Sequence, residues 1–363
     1  MVATTLNHTF PFPVYAHAFN KDRTQIAVSP NPNLVYVYEI TSGATWRLLD
    51  TLSEHDLLVT SIDWAPQTNR IVTCSQDKNA FVWDLDGSTG KWKPSLVQLR
   101  INRAATHVRW SPLENKFAVA SGSRIVSICY FAEDNDWWSC SHLKGVKSTI
   151  LSIAWHPNNV LLAVGSTDMK ARVYSAFVKK FDSKPAPSGW GEKLPFNTLC
   201  AEYANPSGGW IHSVAFSPSG NALAFSGHDS SVNIAYPDSQ TLQTVRCSSL
   251  PFLSLLFVNE SKIVAAGHDC APVIFEGSEQ GWSQTKSLDT GKEKKSSSVV
   301  SAFNKFKSID SHGTAEEADT SLNTIHQNII NDLRPYESAG DGILTCVSSS
   351  GLDGKIIVWN LVD

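Results

Sequence analysis

Residues 152–157 read SIAWHP, and three other stretches repeat that pattern: SIDWAP at 61–66, HVRWSP at 107–112 and SVAFSP at 213–218. In each stretch apolar residues alternate with polar or small ones, which is the two-residue period of a β-strand. A proline follows and ends the strand, because it has no N–H to donate to the hydrogen-bond ladder. The four stretches therefore predict four equivalent strands.

The predicted strands are followed by a common succession of features, in which only the stretch after 107–112 lacks the aspartate. A second apolar run comes next, such as LLAVGS at 161–166, and an aspartate follows it. Asp77 lies 13 residues after Trp64, and Asp168 lies 13 residues after Trp155. A third strand then follows the aspartate. The recurrence of the whole set indicates a structural repeat rather than a chance similarity of short motifs.

The aromatic residue of the first strand sets the period of the repeat. Phe19, Trp64, Trp110 and Trp155 are separated by 45, 46 and 45 residues. Four short strands in roughly 40–45 residues are typical of a β-propeller blade. The longer step after Trp155 contains a Pro- and Gly-rich stretch, residues 183–209, which we interpret as an extended loop or an outer strand. Counting the repeats gives seven blades, centred near residues 19, 64, 110, 155, 216, 257 and 345.

The last predicted blade begins near residue 323, and the chain ends directly after its third strand. It therefore lacks an outer strand, which residues 6–10 at the N-terminus can supply. We predict an all-β, seven-bladed propeller that forms a single domain over residues 1–363 and is closed by the N-terminal strand. Such closure leaves only short, protected sheet edges.

Composition excludes several classes of function. The formal net charge is −4, so the chain lacks the basic excess expected for general binding to nucleic acid or an anionic membrane. No apolar run approaches the roughly 18 residues of a membrane-spanning helix, and the N-terminus does not resemble a signal peptide. The seven cysteines are scattered. We interpret them as small buried apolar residues in a reducing compartment, not as a disulfide framework.

Motifs of catalysis are missing from the sequence: it contains no G-x-x-x-x-G-K-[ST], G-x-S-x-G, H-E-x-x-H or C-x-x-C. We therefore predict a non-enzymatic protein with no cofactor and no metal. His-Asp recurs at 228–229 and 268–269, but equivalent positions of different blades are spread around a ring. We expect these aspartates to accept backbone N–H groups in turns. Blade 3 lacks the aspartate and has Gly-Ser-Arg, residues 122–124, at this position.

One segment breaks the repeat. Blade 6 should end near residues 282–288, and the predicted insert occupies residues 289–322, whose two ends are polar and linker-like. Between them, at about residues 297–309, we predict a short amphipathic helix capped by the serines at 296–298. At 100° per residue its apolar stripe falls within an arc of about 120°. The stripe consists of Val299, Ala302, Phe303, Phe306 and Ile309.

The stripe has two interpretations. It packs back onto the propeller, or a flexible tether presents it to the hydrophobic groove of a partner. The polar linkers on both sides favour the partner. Residues 286–307 contain six lysines and only two acidic residues, so the partner surface, or a nearby acidic tail, should be negative. A membrane-surface helix is a further alternative, for which the stripe is short. The predicted partner-binding residues are Val299, Phe303, Phe306 and Ile309, with Lys292, Lys294, Lys295, Lys305 and Lys307 for electrostatic steering. Lys144 and Lys147, which we expect near the Trp137-Trp138 turn, are weaker candidates for an acidic ligand than for ordinary solvated lysines.

Several stretches carry a resemblance to a known family. NDWW at 135–138, WHPNNVLLA at 155–163, WGEKLPF at 190–196 and GWIHSV at 209–214 resemble the WD-repeat subunit of the actin-related protein 2/3 complex, and the similarity spans essentially the whole chain, including the insert. His55, Asp77 and Trp83 are similar to the residues whose hydrogen bonds lock the blades of WD repeats. The full set of predicted structural turn residues is His55, Asp77, Trp83, Asp168, Asp229, Asp269 and Asp353.

The resemblance implies a role in the cytoplasm, at cortical actin structures. The family's complex nucleates new actin filaments as branches on existing ones, and the propeller is part of the scaffold that positions its two actin-related subunits. The implied partners are the other subunits, the actin filament and the acidic tails of nucleation-promoting factors, and the insert is implied to contact an actin-like neighbour. The alternative is another cytosolic WD-repeat adaptor, such as a coat or ubiquitin-ligase subunit, because propellers host many functions.

Overall fold

The computed structural model describes residues 4–30, 33–41, 45–289, 322–340 and 343–362. In this part of the chain 28 strands form seven antiparallel sheets of four strands each. The sheets are the blades of a β-propeller, and in six of them the four strands follow one another in sequence. The predicted all-β, seven-bladed fold is confirmed.

The first four blades contain strands β2 to β17. Blade 1 consists of β2 (Ala16–Phe19), β3 (Gln25–Ser29), β4 (Val35–Glu39) and β5 (Arg47–Leu52). Blade 2 consists of β6 (Val59–Trp64), β7 (Ile71–Ser75), β8 (Ala80–Asp86) and β9 (Lys91–Val97). Blade 3 consists of β10 (Ala105–Trp110), β11 (Lys116–Ser121), β12 (Val126–Ala132) and β13 (Trp137–Leu143). Blade 4 consists of β14 (Ile150–Trp155), β15 (Leu161–Ser166), β16 (Lys170–Ser175) and β17 (Leu199–Ala204).

The remaining strands form blades 5 to 7. Blade 5 consists of β18 (Ile211–Phe216), β19 (Leu223–Gly227), β20 (Ser231–Tyr236) and β21 (Thr241–Arg246). Blade 6 consists of β22 (Phe252–Asn259), β23 (Lys262–Gly267), β24 (Val273–Ser278) and β25 (Gly281–Ser287). Blade 7 consists of β26 (Ile330–Ser338), β27 (Leu344–Gly351), β28 (Lys355–Asn360) and β1 (Thr4–Thr9). A 3₁₀ turn, Glu133–Asn135, precedes β13.

The N-terminal strand closes the ring, as predicted. Strand β1 pairs antiparallel with β28, and Asn7 lies opposite Ile357. The chain then continues into blade 1, where the His8 ring stacks on Trp46 at 3.8 Å between ring centroids. Phe10 packs edge-on against the same indole. The terminal segment is therefore held by both of the blades that it joins.

Blade 7 differs from the prediction in one respect. Residues 343–349, interpreted as the centre of the blade, lie almost entirely in its second strand, and the innermost strand is β26. This innermost strand is irregular, with register shifts between Ile330 and Asp332, between Pro335 and Glu337, and between Glu337 and Ser338. Charged residues and a proline thus replace the alternating apolar pattern that identifies the other innermost strands.

The core lies between neighbouring blades. One cluster joins Val72, Val82 and Cys74 of blade 2 to Trp110 and Phe117 of blade 3. Comparable clusters occupy the other interfaces between blades. Valine, isoleucine and aromatic residues suit these positions because they pack well on a pleated surface. Each blade is therefore stabilised by burying its face against the next one.

The described part of the chain contains no helix with the length and apolar character that crossing a membrane requires.

Candidate functional site

One end of the propeller carries all the linkers between blades, because strands alternate in direction within each sheet. The turn between the second and third strands of a blade lies at the same end. His55, in the linker before β6, bonds Asp77, in the turn after β7, which demonstrates this proximity. We call this surface the linker face. The predicted insert falls between β25 and β26, and the described residues on either side of it lie on this face.

His55, Asp77 and Trp83 belong to one hydrogen-bonded chain. The His55 Nδ1 atom lies 2.7 Å from an Asp77 carboxylate oxygen, and its Nε2 atom lies 2.8 Å from the Thr73 hydroxyl. The Trp83 indole N–H donates to the same hydroxyl at 3.0 Å. Thr73, absent from the predicted set, is the residue that joins the other two. Burial alone would raise the pKa of Asp77, but the hydrogen bond and charge of His55 and two backbone N–H groups lower it.

The other turn aspartates also bond the preceding linker. Asp168 accepts the Lys147 backbone N–H at 3.0 Å, and Asp269 accepts that of Leu250 at 2.9 Å. Asp229 accepts the Asn205 side-chain amide at 2.8 Å. Each aspartate thereby ties its own blade to the linker that enters it.

Blade 7 repeats the His55 arrangement with a histidine that the sequence analysis missed. His326 Nδ1 lies 3.0 Å from Asp353, and its Nε2 atom lies 2.8 Å from Ser349. Trp359 donates its indole N–H to the same serine at 2.8 Å. His326 is 27 residues before its aspartate, whereas His55 is 22 residues before Asp77. The sequence signal that could have identified this arrangement in blade 7 is the spacing of six residues from the aspartate to the tryptophan, which both blades share.

Blade 3, which lacks the aspartate, uses Ser123 in its place. The Ser123 hydroxyl oxygen accepts the backbone N–H groups of Asn102 and Arg103, at 3.1 and 2.9 Å. A neutral hydroxyl therefore holds the linker where blades 2, 4, 5, 6 and 7 have a carboxylate. The substitution removes one negative charge from this part of the linker face, and the next residue, Arg124, adds a positive one.

Basic side chains cluster around this turn. Five exposed residues come from three neighbouring segments, namely the linkers before and after blade 3 and its second turn. These segments contain no aspartate or glutamate. None of the five forms an ion pair with any residue in the described ranges. We call this surface the blade 3 basic patch; it consists of Arg100, Arg103, Arg124, Lys144 and Lys147.

The expected neighbourhood of Lys144 and Lys147 is wrong. Trp137 begins β13, and both lysines follow the end of that strand at Leu143. Seven residues of extended chain span about 20 Å. The two lysines therefore lie on the linker face, and the exposed Trp137 lies at the opposite end of the blade.

Large apolar side chains are also exposed on the linker face. Leu57, Met169, Trp210 and Leu250 lie in linkers or second turns and are 42–55% exposed. Trp210 packs against the exposed His228 ring, at 5.5 Å between ring centroids. Tryptophan is enriched at the centres of protein contact surfaces, so Trp210 is the strongest candidate for a contact residue in this set.

The nine residues predicted to bind a partner from the insert lie outside the described residues: Val299, Phe303, Phe306, Ile309, Lys292, Lys294, Lys295, Lys305 and Lys307. The two flanks of the insert can be located. Asp289, its first residue, accepts the backbone N–H of Ile325, which follows its last residue. The described residues on the two sides of 290–321 therefore meet on the linker face, between blades 6 and 7.

The axis of the propeller encloses a channel of about 530 Å³, lined by the innermost strands of all seven blades. Its charged groups bond one another. Arg334 donates to Asp63 at 3.0 Å and to Asp332 at 2.8 Å, and Arg109 lies 3.5 Å from Asp332. Burial would raise the pKa of Asp332, but the two guanidinium groups lower it. Burial also lowers the pKa of His17, beside the channel, to about 3.

Polar residues at equivalent positions of the innermost strands bond the next blade. Ser152 accepts the Val214 N–H at 3.2 Å, and Ser213 accepts the Leu255 N–H at 3.1 Å. The repeated serine of the SIAWHP-type motif is therefore a link between blades. In the described ranges, no group of three or more His, Cys, Asp or Glu side chains is arranged to hold a metal ion.

Comparison with known proteins agrees with this architecture. The WD domain, G-beta repeat model matches residues 46–84, 137–175 and 198–234. Actin-related protein 2/3 complex subunit 1 of Schizosaccharomyces pombe is 50% identical to the chain, over 99% of this chain and 100% of the relative. Subunit 1A-B of Xenopus laevis is 48% identical, over 96% and 94%. Subunit 1A of Arabidopsis thaliana is 39% identical, over 98% and 96%.

The chain belongs to the actin-related protein 2/3 complex subunit 1 family.

In this member of the subunit 1 family the sequence repeat and the structural blade are out of phase. The match at 46–84 begins with β5, the outer strand of blade 1, and ends in β8 of blade 2. The matches at 137–175 and 198–234 likewise begin with an outer strand and end in the third strand of the next blade. Each sequence repeat therefore includes one linker of the linker face and contributes strands to two neighbouring blades.

Proposed function

We propose that this chain is a non-catalytic scaffold subunit of the actin-related protein 2/3 complex. In that role it positions the two actin-related subunits and helps to engage actin-like surfaces and nucleation-promoting factors, in the cytoplasm at cortical actin. The observation that carries the proposal is the near-full-length similarity to proteins named subunit 1 of this complex. The alternative of a coat or ubiquitin-ligase adaptor has no comparable support.

The channel supports a role without catalysis. Its two aspartates are engaged by Arg109 and Arg334. Burial lowers the pKa of the lining histidines, to about 4 for His212 and well below the ordinary value for His107. A catalytic acid or base needs a titrating group near the working pH and free to reach a substrate. The paired charges instead join blades 2, 3 and 7, which suits a rigid platform.

The blade 3 basic patch supports engagement of an acidic tail. Arg100, Arg103 and Arg124 are exposed and have no acidic partner in the described part of the chain. Unpaired surface cations attract an acidic peptide and raise its association rate, and this attraction falls with ionic strength. The patch is local, since the whole chain is slightly acidic. A negative ligand is therefore drawn to one site rather than to the entire surface.

The insert supports contact with an actin-like partner. Its predicted stripe, which includes Phe303 and Phe306, is the kind of surface that a hydrophobic groove accepts. The described residues that flank the insert lie on the linker face, which also carries Leu250 and the other exposed apolar residues. We propose that one partner contacts the insert and part of this face together.

Membership is tested by purifying the tagged chain from its native cytosol at high salt and identifying the co-eluting proteins by mass spectrometry. We expect two actin-related proteins and the further small subunits of the complex in constant proportion. A chain that elutes alone, or with coat or ubiquitin-ligase proteins, would refute the proposal.

The basic patch is tested with the triple variant R100E, R103E and R124E in the purified complex. The probe is a fluorescent peptide with the sequence of an acidic nucleation-promoting tail. We expect at least about a tenfold loss of affinity at low salt, because each lost contact contributes on the order of 0.5 kcal/mol or more and its reversal adds repulsion. The matched control is K179E, K184E and K193E, three exposed lysines of the loop between β16 and β17. An equal loss of peptide affinity in the two triple variants would show that net charge alone, and not the basic patch, determines binding.

The insert is tested with the double variant F303A and F306A. We expect weaker filament branching and an almost unchanged melting temperature of the complex. The control is S301A and N304A, on the predicted polar side of the same helix. A loss of several kcal/mol in stability, as expected when buried phenylalanines are truncated, would instead assign the stripe to the propeller core.

A further inference from the structure

Two cysteines face each other in the outer hairpin of blade 3. Cys129 of β12 lies directly opposite Cys140 of β13 in the antiparallel register. Opposite residues in such a pair have Cα atoms about 4.5–5.5 Å apart, which is within the range that disulfides require. Their Sγ atoms are 2.6 Å apart, so no backbone movement is needed to bring the sulfurs together. Both are free thiols in this structure.

The two thiols differ in exposure. Cys129 is fully buried, and burial together with the neighbouring Cys140 sulfur raises its pKa well above the ordinary value. Cys140 is partly exposed and belongs to the edge strand of the blade. An oxidant can therefore reach Cys140 first, and Cys129 lies where it can react with the product.

We propose that Cys129 and Cys140 form a cross-strand dithiol that hydrogen peroxide oxidises to a disulfide, linking the two outer strands of blade 3. The Cys140 sulfur attacks the peroxide, the O–O bond breaks, and sulfenic acid and water form. The Cys129 sulfur then attacks the sulfenic sulfur, and its proton leaves with the hydroxyl group as a second water. Two thiols are oxidised and one peroxide is reduced. The pair is expected to be reduced at rest, as in most cytosolic proteins.

The chain offers a direct readout. Trypsin cleaves after Arg124 and Lys144, so one peptide, residues 125–144, contains both cysteines and no other. The purified complex is treated with graded peroxide, blocked with N-ethylmaleimide, digested and weighed by mass spectrometry. We expect the peptide to lose both maleimide adducts together, with a mass two hydrogens below the dithiol, and to regain both after dithiothreitol.

Cys200 and Cys247 are the internal controls, since each is partly exposed and lies alone in its tryptic peptide. They should keep their adducts at peroxide doses that convert the pair. If they are oxidised first, or if Cys140 proceeds to sulfinic acid without forming the disulfide, the proposal is wrong. The test is independent of the proposed scaffold function, because it reads the bond and not filament branching.

Two variants assign the order of the steps. In C129A, a dimedone-reactive sulfenic acid should accumulate at Cys140, because the second thiol is missing. In C140S, Cys129 should keep its maleimide reactivity after unfolding, since its buried sulfur is not reached by peroxide. Oxidation of Cys129 in C140S at the wild-type rate would overturn the assigned order.

Discussion

Lys116 and Asp182 form an ion pair inside the protein: their side chains are 0% and 1% exposed. Lys116 extends from β11 of blade 3, and Asp182 lies in the loop that follows β16 of blade 4. The Asn159 side-chain amide donates to Asp182 Oδ1 at 2.9 Å. The Val178 N–H donates at 2.7 Å to Asp182 Oδ2, the oxygen that is paired with Lys116. The ammonium group also lies over the Trp155 ring. The pair therefore attaches the long loop of blade 4 to the neighbouring blade.

Removing one member of this pair should be more damaging than removing both. Lys116→Met leaves a buried carboxylate without its cation, and we expect a loss of about 3–5 kcal/mol in the free energy of unfolding. The double variant K116M and D182N should recover part of that loss. Urea unfolding of the four proteins of the cycle measures the coupling. The exposed pair Arg47–Glu39 is the control, with an expected change of about 1 kcal/mol or less for Arg47→Ala.

His17 should make stability depend on pH. Burial lowers its pKa from 6.5 to about 3, with further lowering by Arg334 and Arg109 and an opposing effect of Asp332. The unfolded chain thus takes up a proton near pH 6.5, and the folded protein does so only near pH 3. Its contribution to stability is complete above pH 6.5 and falls with decreasing pH, by at most about 1.4 kcal/mol per pH unit.

Unfolding free energies at pH 7.5, 6 and 5 test this contribution. His17→Gln should reduce the slope of the unfolding free energy against pH by the contribution of one proton, which is at most about 1.4 kcal/mol per pH unit. Ser350→Ala removes the hydroxyl that lies 3.0 Å from His17 Nδ1 but keeps the imidazole, so it should retain the slope. Identical slopes for His17→Gln and the wild-type protein would contradict the prediction.

Trp137 and Trp138 are adjacent but should differ in their effect on stability. Trp138 packs against Trp110, Phe117 and Phe131, whereas Trp137 is 55% exposed. We expect Trp138→Ala to cost about 3–5 kcal/mol. Trp137→Ala should cost on the order of 0.5 kcal/mol, as for an ordinary surface site. Chemical denaturation measures both, and each variant is the control for the other. Similar losses would mean that the hairpin face is assigned incorrectly.

Ser123→Asp should distinguish the contribution of the blade 3 turn to stability from the contribution of its charge to peptide binding. The carboxylate can accept the same two backbone N–H groups that Ser123 accepts, as the turn aspartates of other blades do. We therefore expect a melting temperature equal to or above that of the wild type. The added negative charge should weaken binding of the acidic peptide about two- to fivefold at low salt. Ser123→Ala, which removes the acceptor without adding charge, should lower stability and leave the peptide affinity nearly unchanged.

The sequence predicts most of the fold because its alternating strands and turn aspartates are local patterns. Blade 7 was located imprecisely since Asp332, Arg334 and Pro335 interrupt the alternation of its innermost strand. Arg334 is tolerated there because Asp63, 271 residues away, accepts its hydrogen bond across the channel. That partnership is a property of the closed ring, and no local pattern contains it.

The candidate surfaces were harder to predict for the same reason. Arg100, Arg124 and Lys144 lie in three segments that are separate in the sequence, and none of these segments contains a basic cluster by itself. The geometry of the blade places the three segments side by side. In the sequence, Ser123 is seen only as the absence of the expected aspartate. The folded turn shows that its hydroxyl accepts the backbone N–H groups that an aspartate accepts in other blades. The predicted insert stripe, by contrast, is a local pattern, and its role remains a prediction from helical periodicity and charge.

The pairing of β1 with β28 has a consequence for biosynthesis. Thr4–Thr9 is synthesised before its partner, Lys355–Asn360, and the strands of all the other blades lie between them in the sequence. At about 5–20 residues per second, the N-terminal strand waits on the order of tens of seconds for that partner. During translation its unpaired edge can attach to another nascent chain, so a chaperone that shields Thr4–Thr9 would be of most use until Lys355–Asn360 has been synthesised.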